Sequence, residues 1–146
     1  MYNTLGEYIS QPISKLFRSR HFKEAVKKLI ASYSPIGFAV SDETTALSTG
    51  TSLITFRMPY EKQVSMVRAT LTTEQTSGTK FTVDILQDGV SIFSTLLTID
   101  NGEKTSTTAV IQSILSTTTL LDDAEITVSI TQIGDGTATG LKIWII

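Results

Sequence analysis

Residues that could do chemistry are few and scattered. The chain of 146 residues holds one histidine and no cysteine, so a serine or threonine nucleophile has a single imidazole to draw on. Such a nucleophile needs its base within hydrogen-bond reach, and His21 falls among Arg18, Arg20, Lys23, Lys27 and Lys28. That setting predicts a surface or helix-end histidine, not half of a catalytic pair. Without cysteine there is no thiolate ligand and no disulfide framework. Asp122, Asp123 and Glu125 in "LLDDAEI" have the chemistry to hold a hard cation with loop carbonyls. No second ligand set follows at a recognisable spacing, and the segment reads as a turn leading into a strand. A paired-carboxylate glycosidase needs two acids converging across a cleft, a convergence the sequence does not show. Gly134, Gly136 and Gly140 in "IGDGTATG" depart from the G-x-G-x-x-G spacing and lie between two strands, where a phosphate loop must open a helix. They read as a turn. The expectation is a protein that is not an enzyme and that uses no cofactor or metal.

The elements that would position any site are mostly strands. In "FTVDILQDGVSIFST", Asp88-Gly89 predicts a two-residue type I′ turn, in which both central residues take φ > 0. Gln87 should then face Val90, and Ile85 should face Ile92. Side chains alternate with period two, which puts Phe81, Val83 and Ile85 on a core face with Val90, Ile92 and Leu96. Thr82, Asp84 and Thr95 point the other way, together with Leu86, Phe93 and Leu97. In "AEITVSITQI" the alternation is cleanest, with Ile126, Val128 and Ile130 on one face. "LKIWII" is apolar enough to be a central or covered strand. Strands are expected at about 36–40, 52–58, 64–72, 80–87, 90–98, 107–115, 124–133 and 140–146. The turn signals between them include "QTSGT" and "DNGEK", with Asp100 and Glu103 solvated. Eight short strands with frequent turns predict an antiparallel β-sandwich, with a jelly roll as the leading topology.

Composition separates the N-terminus from this region. Residues 1–35 carry six cations against two carboxylates, a charge of +4, and residues 36–146 carry six cations against twelve carboxylates, a charge of −6. Of the 24 threonines only Thr4 precedes Pro35, and threonine suits a pleated surface. Phe22, Ala25, Val26, Leu29, Ile30 and Tyr33 recur at helical spacing, so a helix is expected over about 20–33 with Ser19 as N-cap and Pro35 beyond its end. Ile13, Leu16 and Phe17 suit a shorter first helix opened by Ser10 and Pro12, with a break near 18–20. The chain thus divides into a basic helical segment, 1–35, and a β domain, 36–146. No apolar run reaches the roughly 20 residues that span a bilayer, and the N-terminus lacks a signal-peptide pattern. Nucleic-acid binding is not expected. The β region is acidic, and Phe38, Phe56, Phe81, Phe93 and Trp144 sit inside strand patterns, which predicts core positions.

The segments "GFAVSDETTALSTGTSLITFRMPYEKQVSMVRATLTTEQTSGTKFTVDI", "LTIDNGEKTS" and "DDAEITVSITQIGDGTATGLKIWI" together resemble a β-sandwich module of tailed-bacteriophage structural proteins. The resemblance covers residues 36–146. It implies a virion protein, made in the host cytoplasm and displayed on the particle surface, that decorates the capsid or belongs to a head fibre. The alternative is a tail-fibre or receptor-binding module that recognises host-surface glycan. Implied partners are the major capsid protein or other virion proteins and further copies of the chain, a trimer among the options. The short apolar stripes of the N-terminal segment need a surface to pack on, either the β domain or another protein. If the segment is the anchor, its docking residues are Leu16, Phe17, Arg18, Arg20, Phe22, Lys23, Val26, Lys27, Lys28, Leu29 and Ile30.

Overall fold

The computed structural model describes residues 13–146, and the chain divides between Ser32 and Tyr33 into a helical unit and a larger β unit. Ser10 and Pro12, expected to open the first helix, lie outside the described residues. Two helices follow, α1 at Ile13–Arg18 and α2 at Arg20–Tyr33. The break falls at Ser19, as expected. Its hydroxyl accepts the Phe22 N–H at 3.5 Å, meeting one donor the first helical turn cannot satisfy internally, and its carbonyl accepts the Lys23 N–H at 3.1 Å, the first bond of the helix. Pro35 disfavours helical geometry at Ser34, and α2 stops one residue earlier.

The β unit is mainly β and antiparallel. Its strands are β1 (Ile36–Ala39), β2 (Gly50–Arg57), β3 (Lys62–Gln63), β4 (Val67–Thr70), β5 (Phe81–Gln87), β6 (Val90–Ser91), β7 (Phe93–Thr95), β8 (Leu97–Ile99), β9 (Ile114–Leu115), β10 (Thr119–Leu120), β11 (Glu125–Gln132) and β12 (Lys142–Ile145). One sheet has the order β1-β12-β4. The larger has β2-β11-β5-β6, with β8 also on β5, and β3-β10 and β7-β9 form two small ladders. The inward residues of both main sheets belong to one core. Val67, Ala69, Ile143 and Ile145 come from the first sheet, and Phe81, Val83, Ile85, Ile126, Val128 and Ile130 from the second. Burying a Val, Leu, Ile or Phe side chain contributes roughly 1.5–3 kcal/mol, so this strip of alternating residues is what holds the two sheets face to face.

The Asp88-Gly89 turn forms as expected. Both residues have positive φ, 49° and 81°, and Gln87 pairs with Val90. A side chain at Gly89 would meet nothing, yet its backbone conformation resists a β-branched residue. Gly89→Val is therefore expected to cost roughly 1 kcal/mol or more, measurable by urea unfolding. An unchanged midpoint would reject the turn as a constraint on register.

Beyond the turn the expected alternation fails, and three assignments are corrected. Val90 is 70% exposed because the hairpin tip projects past the core. Leu97, not Leu96, lies in the core and pairs with Val83. Phe93, placed on the second face, is buried alongside its neighbour Ile92. The cause is a bend at Ile92. The Ser91 hydroxyl donates to Asp84 at 2.6 Å and accepts the Phe93 N–H at 3.1 Å, turning the chain out of the large sheet. Phe93 then pairs with Leu115 in the small β7-β9 ladder, and the chain returns to β5 three residues out of register, an odd number that exchanges the two faces. The strands expected at 64–72 and 107–115 are likewise interrupted. The first shrinks to β4, with β3 lying just before the expected start, and the second is a short 3-10 turn, Ser106–Thr108, followed by loop and β9.

Polar side chains tie the loops together at one end of the unit. Gln75 is fully buried, and its amide donates to the Thr79 carbonyl and to Asn101 Oδ1, both at 2.6 Å, while its oxygen accepts the Gly134 N–H at 2.8 Å. Asp135 accepts from the N–H groups of Thr76 and Ser77 at 2.8 and 2.9 Å and from the Thr137 hydroxyl at 2.7 Å. These bonds, the Thr137 hydroxyl first, hold its carboxyl far below the usual carboxylate range. Asp100, expected to be solvated, is instead 17% exposed and pairs with Lys80 at 2.7 Å. It also accepts the Val110 N–H at 2.8 Å. The β5-β8 pairing of Phe81 with Ile99 brings these two flanking residues side by side.

Candidate docking surfaces

The helical segment places its expected docking residues on a short amphipathic surface. Phe22, Val26, Leu29 and Tyr33 follow the three-and-four spacing that lines one helix face. Leu16, Phe17, Leu29 and Ile30 are each more than half exposed. Phe17 meets Phe22 edge to face, with ring centroids 5.1 Å apart, an arrangement the ring quadrupoles favour. A shallow groove of about 370 Å³ is lined by Phe17, Phe22, Lys23, Val26 and Lys27. Five of the expected residues thus converge. Arg18, Arg20 and Lys28 are exposed on the helices outside that groove, as is His21. Lys27 pairs with Glu24 at 3.3 Å, but both side chains are largely exposed, so the pair contributes only a few tenths of a kcal/mol. No helix among the described residues is long and apolar enough to cross a membrane.

A second surface was not legible in the sequence. Among the described residues β1 pairs only with β12 and β2 only with β11, so one side of the sandwich carries two edge strands with no backbone ladder between them. Phe38 and Phe56 bridge the gap edge to face at 5.2 Å. Around them lies a groove of about 520 Å³ lined by Ile36, Phe38, Ile54, Phe56, Arg57, Pro59 and Tyr60. On the opposite side the Ala69 N–H donates to Ser106 Oγ at 2.9 Å and the Leu71 N–H to the Lys104 carbonyl at 2.8 Å, so side-chain and backbone bonds close it. Both strands of the open side read as ordinary alternating strands; only their pairing reveals the groove.

The third surface is the outer face of the β1-β12-β4 sheet, and it corrects another expectation. Trp144 is not in the core but 46% exposed. The "LKIWII" strand is central, as expected, yet only the alternate residues Leu141, Ile143 and Ile145 are buried in the core. Phe93 is buried, Tyr60 half-buried and Trp144 exposed, and the cross-strand neighbours of Trp144 are Gly37 and Arg68.

The carboxylates of "LLDDAEI" form the turn into β11. Asp123 has φ 59° and donates its N–H to the Met58 carbonyl at 3.0 Å, and Arg57 donates to the Asp123 carbonyl at 2.9 Å. Among the described residues no three His, Asp or Glu side chains gather as a metal site. The sequence also concealed Lys62. This lysine is fully buried in β3 and donates to the Ser34 carbonyl at 2.6 Å. Burial lowers its pKa below the ordinary 10.5.

No family model, no curated protein and no solved structure matches the chain.

Proposed function

We propose that this is a non-enzymatic virion protein of a tailed bacteriophage, one that decorates the capsid or forms part of a head fibre and is held on the particle by residues 1–35. The segment resemblance of residues 36–146 supplies the class of particle. The observation that carries the anchoring part is the exposed amphipathic surface of α1 and α2, where Phe17, Phe22 and Val26 sit beside Lys23 and Lys27. A helix with a basic rim and an apolar stripe complements a surface that is apolar and acidic. The β unit meanwhile has its own core. In this reading the partner is the major capsid protein or another virion protein, and copies of the chain associate, with a trimer as the working assembly.

The test is truncation. A chain starting at Tyr33, which keeps the Ser34 carbonyl that Lys62 bonds, is expected to remain folded, with a β-type circular dichroism spectrum, but to lose binding to particles that lack the native protein. The full chain should bind them. Lys23→Glu, Lys27→Glu and Lys28→Glu together should weaken binding in part, and added salt should do the same, since exposed charges are screened beyond about 8 Å at physiological ionic strength. If the truncated chain decorated particles as well as the full one, the attachment site would have to lie on the β unit.

The exposure of Trp144 favours a second reading, a fibre or receptor-binding module that recognises host-surface glycan. An exposed indole offers a large apolar face at low conformational cost.

A further inference from the structure

The outward side chains of the β1-β12-β4 sheet stand in two rows of three. Gly37, Trp144 and Arg68 are in register in the first, and Ala39, Lys142 and Thr70 in the second. Gly37 leaves room for the indole to lie across it, since a Cβ there would overlap three atoms of the six-membered ring. The six-membered ring thus packs on the backbone of β1, and Trp144 remains 46% exposed.

The two cations of this face differ in kind. Lys142 is neutralised by Glu43 at 2.7 Å and also donates to Thr72 Oγ1 at 3.1 Å and to the Gly140 carbonyl at 3.4 Å. Arg68 is exposed and has neither an ion pair nor a side-chain hydrogen bond among the described residues. Its guanidinium is not stacked on Trp144 either, because the ring is turned toward Gly37 on the opposite neighbouring strand. The indole and an unpaired guanidinium therefore project from residues directly paired across β12 and β4 on the same outward face.

From this geometry we infer a binding site for an acidic saccharide, with one sugar ring stacked on Trp144 and its carboxylate held by Arg68. The C–H face of a pyranose is apolar and faintly positive, so it is drawn to the negative face of the indole. The guanidinium fork matches a carboxylate in two parallel hydrogen bonds, which lysine cannot supply. Thr70, diagonal to Trp144 on β4, presents a hydroxyl for a ring substituent. A nucleic-acid strand fits the face less well. Its binding depends on several cations tracking successive phosphates, whereas Lys142 is already paired and Arg68 is, among the described residues, the one unpaired cation of this face.

This inference deepens the second reading above and is independent of attachment through residues 1–35, so its failure leaves the truncation experiment untouched. The chain has one tryptophan, which makes its fluorescence a reporter of the site itself. Titrating the full chain with oligogalacturonate of about six residues should give a saturable change, and maltohexaose should bind at least tenfold more weakly. Arg68→Gln should remove most of that difference while leaving the melting temperature in place. By calorimetry, Trp144→Ala should abolish binding and Trp144→Phe should retain part of it, which guards against mere unfolding. The proposal is overturned if oligogalacturonate gives no saturable response at millimolar concentration, or if Arg68→Gln binds it as wild type does. It is also overturned if an oligothymidylate of matched charge binds as tightly, which would indicate an unspecific response to anions.

Discussion

Gln75→Leu is expected to destabilise the β unit by about 3 kcal/mol or more, the sum of several buried polar groups losing partners at about 1–3 kcal/mol each. Leucine has nearly the volume of glutamine, so the effect isolates the amide from the space it fills. The substitution strands the Thr79 carbonyl, Asn101 Oδ1 and the Gly134 N–H, three groups from three separate loops. Asn101 also donates to the Gly78 carbonyl at 2.8 Å, so the damage spreads to the turn before β5. Urea unfolding followed by circular dichroism measures it directly, and a fall in melting temperature of roughly 10 °C should accompany it. A midpoint within error of wild type would mean that water replaces the amide and that the loops are joined by other bonds, those of Asp135 first.

Lys62 should give an effect of similar size with an unusual dependence on pH. Lys62→Ala removes three buried methylenes and the ammonium and should cost about 3 kcal/mol, as for other long side chains truncated in a core. Lys62→Met keeps most of the volume and should cost less than about 1 kcal/mol, because the loss of the bond to Ser34 is offset by relief from burying a charge. Burial lowers the folded-state pKa, so between that lowered value and 10.5 the unfolded chain binds the extra proton. Wild-type stability relative to Lys62→Met should therefore rise with pH through that window, and below it the cost of the buried ammonium is fully present. A difference that stayed flat from pH 7 to pH 10 would show that the ammonium keeps its water.

How much of this was legible in the chain depended on whether the deciding interactions were local. The helix break at Ser19, the Asp88-Gly89 turn and the inward face of Ile126, Val128 and Ile130 rest on neighbours a few residues apart. They formed as expected. The phase error after Ile92 arose because a serine hydroxyl, Ser91, bonds Asp84 across the hairpin and bends the strand. An apolar pattern carries no record of such a bond. Trp144 was misplaced for a related reason. An apolar run in a central strand reads as covered on both faces, yet Gly37, more than a hundred residues earlier, shelters one side of the indole in an otherwise open face. The exposed stripe of α1 and α2 was legible from its helical spacing. The groove between β1 and β2 was not, since it follows from which strands remain unpaired.

The bond from Lys62 to the Ser34 carbonyl also has a mechanical meaning. A chain held by its first 35 residues transmits any pull on the β unit through Ser34 and Pro35 into β1, an edge strand joined to β12 by four residue pairs. Lys62 grips the backbone two residues ahead of that strand, so load is shared with β3 before it reaches the four pairs. Under a pull on that end of the chain, Lys62 would act as a strain relief, and the force needed to peel β1 away would depend on a side chain that belongs to neither the helix nor the strand.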